Sequence, residues 1–227
     1  IILAATRVKG KTYITAKKSR NHSEEMMKSL NLPIKVKSRN NYDFIEVNKV
    51  NKIKPLKYKI PSDISSSAFF LVLTALTDNS KLVIRNVNVN STRIGIVTIL
   101  KKMGINIVFQ NQKIYKGEKI ADIKVKSTNK LKGINCPVKF NSQAIDEFLA
   151  IFLVAAKAKG ISYFKNLAEL NQKESPRLKW ASKILNKMGV KNIITKSSIK
   201  IFGNPNLKIN KKVIIKNFLK DHRVFMV

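Results

Sequence analysis

The feature that most constrains this chain is one plan repeated three times. Segments beginning at Gly10 ("GKTYITAKKSRNHSEEMMKSLNLPIKV"), Ser80 ("SKLVIRNVNVNSTRIGIVTILKKMGINIVF") and Gly160 ("GISYFKNLAELNQKESPRLKWASKILNKMGVKNIIT") share it. Each reads as a β-branched strand, a polar loop with an Arg, an amphipathic helix, a turn and a second strand. "ILKKMGINI" and "ILNKMGVKNI" are near copies, and they put Gly104 and Gly189 where a left-handed residue closes a helix. A nearly all-apolar helix precedes each segment: "IILAA", "SSSAFFLVLTAL" and "AIDEFLAIFLVAAKA". Helices apolar on every side are expected to be buried. Short strands follow each unit: "YDFIEV", "ADIKVKS" and "SIKIFG". A period of roughly 70–80 residues is too long for a solenoid. It predicts α/β subdomains, each laying helices against a small sheet.

Composition narrows the class. With 44% hydrophobic residues in 227, the chain can bury a core, which excludes global disorder. Forty-five basic residues against 13 acidic give a formal charge of +32, a field that attracts nucleic acid, anionic membranes or phosphorylated metabolites alike. Only seven of those cations are Arg and 38 are Lys. Lys, Asn and Ile are what AT-rich codons encode, so much of the charge reflects codon usage and the few Arg residues carry more information. Arg offers a planar fork for carboxylate and phosphate that Lys cannot reproduce. Cys136 is the single cysteine, so no internal disulfide can form and a reducing, cytoplasmic setting is expected, with Cys136 a small buried strand residue. The longest apolar runs are about half the ~20 residues a membrane-spanning helix needs. The chain starts at "IILAATRVKG" without Met and stops at "DHRVFMV" as a helix begins, so it reads as a fragment at both ends.

Three arginines occupy equivalent places: Arg20, Arg93 and Arg177 all fall near the start of the second helix of their unit. Backbone N–H groups and the helix dipole favour anions there, and Arg adds its fork to the same spot. In "SRNHSEEM", Ser23 is expected to cap the helix and Glu25 to lie in its first turn, which leaves Arg20 unexplained. "AIDEF" puts Asp146 and Glu147 in an apolar setting. Asp146 serves either as a dipole partner at the helix start or as a base facing a cleft. "KESPR" sets Glu174 between Lys173 and Arg177, with Ser175 or Glu174 as the expected cap before Pro176. Asp221, His222 and Arg223 follow the apparent strand "KKVIIKNFL". Neither histidine has a partner at metal-ligand spacing, and no Gly-rich phosphate loop occurs.

Together "SRNHSEEM", "PSDISSSAFFLVLTAL", "NSTRIGIVTILKKMG", "IDEFLAIFLVAAKAKG", "LAELNQKESPRL" and "DHRVFMV" resemble, in order and spacing, the 5-enolpyruvylshikimate-3-phosphate synthase family. The resemblance implies an α/β fold of repeated βαβαββ units forming two domains around a cleft, incomplete in this chain. Residues 1–60 would end the N-terminal domain and 61–227 make most of the C-terminal one. It implies transfer of an enolpyruvyl group from phosphoenolpyruvate to shikimate 3-phosphate, without cofactor, by a cytoplasmic protein monomeric at full length. Arg20 would bind shikimate 3-phosphate, Asp146 would act as base at its hydroxyl, and Glu174 would move the proton at the methylene carbon. Lys173, Arg177 and Arg223 would hold phosphoenolpyruvate, with His222 beside them. The family usually has Arg at Asn171, Asp at Pro176 and Gly at Ser62.

Two other readings predict different things. The related UDP-N-acetylglucosamine enolpyruvyl transferase shares the fold but would take a nucleotide sugar. A basic nucleic-acid-binding protein would gather its cations on one face with aromatic rings between them. Aromatics are 7% of the chain and fall mostly in apolar segments, which favours the transferase and no specific nucleic acid.

Overall fold

Each repeat folds as helix, strand, helix, strand, strand. The first comprises α1 (Ile2–Ala5), β1 (Lys11–Lys17), α2 (His22–Ser29), β2 (Ile34–Arg39) and β3 (Tyr42–Asn48). The second comprises α3 (Ile64–Leu76), β4 (Lys81–Asn88), α4 (Gly95–Lys102), β5 (Asn106–Tyr115) and β6 (Glu118–Lys126). The third comprises α5 (Phe148–Lys157), β7 (Gly160–Phe164), α6 (Arg177–Lys187), β8 (Asn192–Ile194) and β9 (Ile199–Gly203), and α7 (His222–Phe225) follows. This computed structural model describes residues 1–209 and 221–227; the expected strand "KKVIIKNFL" lies outside them. Gly104 and Gly189 close α4 and α6 at φ +99° and +76°, as the repeat requires.

The three sheets have strand orders β1-β3-β2, β4-β6-β5 and β7-β9-β8. Every pairing is antiparallel, so the last strand of each unit sits between the first two. In the second and third repeats a leading segment adds parallel bridges, Ser62 to Val87, Lys132 to Lys159 and Asn135 to Tyr163. That completes the βαβαββ order, with the leading strand kept short. Pro61 and Pro137 bound those segments and have no N–H to extend a ladder.

Burial follows the pleat and the helix faces. In β1 the burial pattern alternates strictly, with Thr12, Ile14 and Ala16 turned inward and Lys11, Tyr13, Thr15 and Lys17 outward. Ile45 and Val47 of β3 join Ala5 and Met27 in a small core of the first repeat. The second and third repeats share one larger core, in which α3 lies against the second sheet, α5 against the third, and the two helices against each other. At its centre Phe148, Phe152 and Phe164 meet with ring centroids 5.0–5.9 Å apart. Each such ring contributes about 1.5–3 kcal/mol on burial. One expectation needs correction: α3 is not buried all round, since Phe70 and Leu73 stand 54% and 64% exposed on its outer flank.

Both expected serine caps also differ. The N-cap of α2 is Asn21, without a side-chain cap bond, and Ser23 lies inside the helix; Glu24 and Glu25 occupy the first turn. The N-cap of α6 is Pro176, because the Ser175 hydroxyl is drawn away to Asp221 at 2.7 Å. Cys136 is buried in the segment beside β7, its N–H bonded to the Tyr163 carbonyl at 2.9 Å, and burial pushes its thiol up to about 11.

Candidate active site

Four cations from different parts of the fold converge on one residue. Arg20, on the loop between β1 and α2, donates from Nη2 to Asp146 Oδ2 at 2.7 Å. Lys173 Nζ lies 3.6 Å from Asp146 Oδ1, and Arg177 Nη1 lies 3.5 Å from the same oxygen. Arg223 Nη1 reaches the Asp146 backbone carbonyl at 3.4 Å. Asp146 and Glu147 stand just before α5, with Glu147 as its N-cap, rather than inside the helix. Burial pushes the Asp146 carboxyl up, but the Arg20 hydrogen bond and the charges of Lys173, Arg20 and Arg223 outweigh it and hold it below the usual range. It is therefore an anion in a cationic ring, the state a base needs.

Arg177 and Asp221 form the buried floor. Arg177 is 1% exposed and donates from Nε to Asp221 Oδ2 at 3.0 Å and from Nη2 to Asp221 Oδ1 at 3.3 Å. Its Nη2 also donates to Glu174. Asp221 in turn accepts from Ser175 Oγ and, at 3.1 Å, from the Arg223 N–H, which caps α7. A buried ion is tolerated only when paired and hydrogen-bonded, as here. The pair ties the "KESPR" loop to the "DHR" turn, so Glu174 and Arg223 are placed relative to each other. Glu174 keeps a side chain 56% exposed toward solvent. His222 opens α7 and is exposed.

Arg93 is used differently from Arg20 and Arg177. Its Nη2 donates to Asp63 Oδ1 at 3.0 Å and to Ser65 Oγ at 2.6 Å, and the Ser65 hydroxyl donates to Glu147. The chain Arg93–Ser65–Glu147 fixes the starts of α3 and α5, and with them Asp146. Burial raises the Glu147 carboxyl against the pull of Ser65. Among the departures from the family pattern, Asn171 bonds the Lys196 carbonyl at 3.3 Å and leaves its own buried Oδ1 without a partner.

A second polar junction joins the first repeat to the second, and no motif marked it. Glu118, 5% exposed, holds His22 Nδ1 at 2.5 Å and accepts from Asn90 Nδ2 at 3.1 Å. Asn90 Nδ2 also donates to Asn21 Oδ1 at 2.9 Å. The two residues after Arg20 are thus clamped onto the second repeat, which sets how far Arg20 reaches. Glu118→Ala is expected to cost about 1–3 kcal/mol by leaving these groups unpaired. Hydrogen exchange should show lost protection confined to residues 11–48; equal loss in α3 and α5 would refute the junction's local role. Acids are sparse in this chain, and a lone Glu opening a Lys-rich strand was the only signal available.

Among the described residues no group of three or more His, Cys, Asp or Glu could hold a metal, and no helix is long and apolar enough to cross a membrane. The arrangement suits an anionic substrate, with cations to neutralise it and carboxylates to move protons.

The family model described as EPSP synthase (3-phosphoshikimate 1-carboxyvinyltransferase) matches residues 1–227. A 3-phosphoshikimate 1-carboxyvinyltransferase of Ruthia magnifica subsp. Calyptogena magnifica is 36% identical over all of this chain and 50% of its own length. One from Caldicellulosiruptor saccharolyticus is 37% identical over all of this chain and 51% of its own. The solved EPSP synthase from Acinetobacter baumannii superposes with a TM-score of 0.84 at 35% identity, covering 99% of this chain and 51% of that one. The enolpyruvyl transferase NikO from Streptomyces tendae, at 12% identity and TM-score 0.64, shares the fold. The chain spans about half the length of the curated relatives it matches. With its repeated βαβαββ units, it belongs to the EPSP synthase family.

Proposed function

We propose that the protein transfers the enolpyruvyl group of phosphoenolpyruvate to the 5-hydroxyl of shikimate 3-phosphate and releases phosphate. The observation that carries this reading is the ring of Arg20, Lys173, Arg177 and Arg223 around the ionised Asp146. In the first step the 5-hydroxyl oxygen bonds to C2 of phosphoenolpyruvate, Asp146 takes the hydroxyl proton, and Glu174 delivers a proton to the methylene carbon. In the second, Glu174 removes a proton from that carbon, the double bond re-forms and phosphate leaves.

Arg20 binds the shikimate 3-phosphate and so must exchange Asp146 for substrate. Lys173 and Arg223 hold the phosphoenolpyruvate, Arg177 supports them from below, and His222 borders the same pocket. Residues 1–60 and 61–227 belong to the two domains that face each other across this cleft. The separate small core of the first repeat supports that division.

The test is phosphate release by the full gene product. Release should require both substrates and fall about a hundredfold or more in Glu174→Ala, as loss of a proton-transfer group does. Release from phosphoenolpyruvate alone, or an unaffected Glu174→Ala variant, would reject the assignment.

A further inference from the structure

The outer face of the first sheet has a composition that neither the core nor the transferase site requires. The register places Tyr13 beside Glu46, whose far neighbour is Lys35, Phe44 between Thr15 and Lys37, and Tyr42 between Lys17 and Arg39. Three aromatic side chains therefore stand on two adjacent strands, with cations on either side. Tyr13 is 71% exposed, and Tyr42 and Phe44 are each 46% exposed. Among the described residues none of the three rings stacks on another ring or lies under a cation. On the outer face of the third sheet, by contrast, Lys165 covers Tyr163 at 4.7 Å and Lys191 covers Phe202 at 5.1 Å. Codon bias can scatter lysines, but it does not turn three rings outward in a strand whose alternate positions are apolar.

The charge on this face is one-sided. Lys11, Lys17, Lys35, Lys37 and Arg39 are all exposed, and Glu46 is the one acid between them, 3.5 Å from Lys11. A groove of about 320 Å³ runs across the face, lined by Tyr13, Thr15, Lys35, Lys37, Phe44 and Glu46. Along β3, Tyr42 and Phe44 are two residues apart, about 6.8 Å. Tyr13 is the diagonal neighbour of Phe44 on β1.

We propose that this face is a binding platform for single-stranded RNA, held without sequence preference. Successive bases stack on Tyr13, Phe44 and Tyr42, and the five surrounding cations neutralise the phosphates. Stacking needs an unpaired, splayed strand, which excludes a duplex. The hydroxyls of Thr15 and Tyr42 can exchange hydrogen bonds with a ribose 2′-hydroxyl, which favours RNA over DNA. This function is separate from the proposed transfer reaction and uses none of its residues.

The experiment is fluorescence anisotropy of the full gene product with labelled oligouridylate of roughly 12 nucleotides, within the usual range of site sizes. Five phosphate contacts predict that affinity falls about a hundredfold between about 50 and 200 mM salt. Tyr13→Ala/Phe44→Ala should weaken binding roughly tenfold per ring, while Tyr13→Phe keeps it. Lys81→Ala/Lys126→Ala, which removes two facing cations from the second sheet, should change it by less than about threefold. Circular dichroism confirms that each variant is folded. Equal affinity for heparin with no effect of the ring variants would reduce the face to a polycation and overturn the proposal. Equal affinity for oligothymidylate would overturn the choice of RNA. Ring-dependent binding to phosphatidylserine vesicles, or ring-dependent self-association, would assign the face to another partner.

Discussion

Asp146→Asn should lower kcat of the full gene product by on the order of 10⁴, at the upper end of what a positioned base contributes. The reason is specific to the ring that surrounds it. Asparagine keeps the shape and can still accept from Arg20, so the fold should survive. It cannot take a proton, and it no longer offsets Arg20, Lys173 and Arg177. Removing the anion leaves those cations free for substrate phosphate, so affinity for shikimate 3-phosphate should hold or tighten. Calorimetric binding beside steady-state kinetics reads both quantities. A variant that loses binding and rate together would make Asp146 a structural residue and move the base elsewhere.

The largest stability effect is expected at Asp221. Replacing it with Asn takes from Arg177, which is 1% exposed, its one fully buried carboxylate partner and leaves the half-exposed Glu174 and the more distant Asp146, at a cost of about 3–5 kcal/mol. For a chain of this size that is a fall in Tm of about 10 °C. The pH dependence identifies the cause. Burial pushes the Asp221 carboxyl up, but hydrogen bonds from Arg177 and Ser175, with the Arg177 charge, outweigh it and hold the group below its ordinary range. Its folded value is lower than its unfolded value of about 3.9. Its contribution is therefore complete above that value and is lost as pH falls through the folded one. The gap between parent and Asp221→Asn, measured by urea unfolding, should be wide at neutral pH and narrow as pH falls below the unfolded value. A gap that stays constant would trace the loss to packing and not to charge.

The repeats, the helix-closing glycines and the positions of Arg20, Arg93 and Arg177 were all legible, because each rests on local periodicity or on one residue's backbone freedom. What the arginines do was not legible. Arg20 reaches across the fold to Asp146, Arg93 stays within its own repeat, and Arg177 sinks beneath the surface. Depth and partner depend on long-range pairing, to which a loop motif is blind. The capping errors have the same origin: Ser175 has a suitable side chain, but Asp221, distant in sequence, takes its hydroxyl. The outward rings of β1 and β3 were not read from the sequence, where the aromatics fall mostly in apolar segments. Their assembly into one surface needed the register, in which Phe44 lies opposite Thr15 and Lys37.

The central placement of each unit's last strand has a consequence for synthesis. When β1 leaves the ribosome it has no partner until β3 follows about 25 residues later. At roughly 5–20 residues per second that is a wait of seconds, with a strand edge open throughout. A similar delay recurs for β4 and for β7, which have only short bridges to their leading segments until their partners β6 and β9 come last. Each unit therefore closes as one late event instead of growing strand by strand. Lysines along β1 and β2, which repel a second nascent chain, protect the edges of the first unit during the interval.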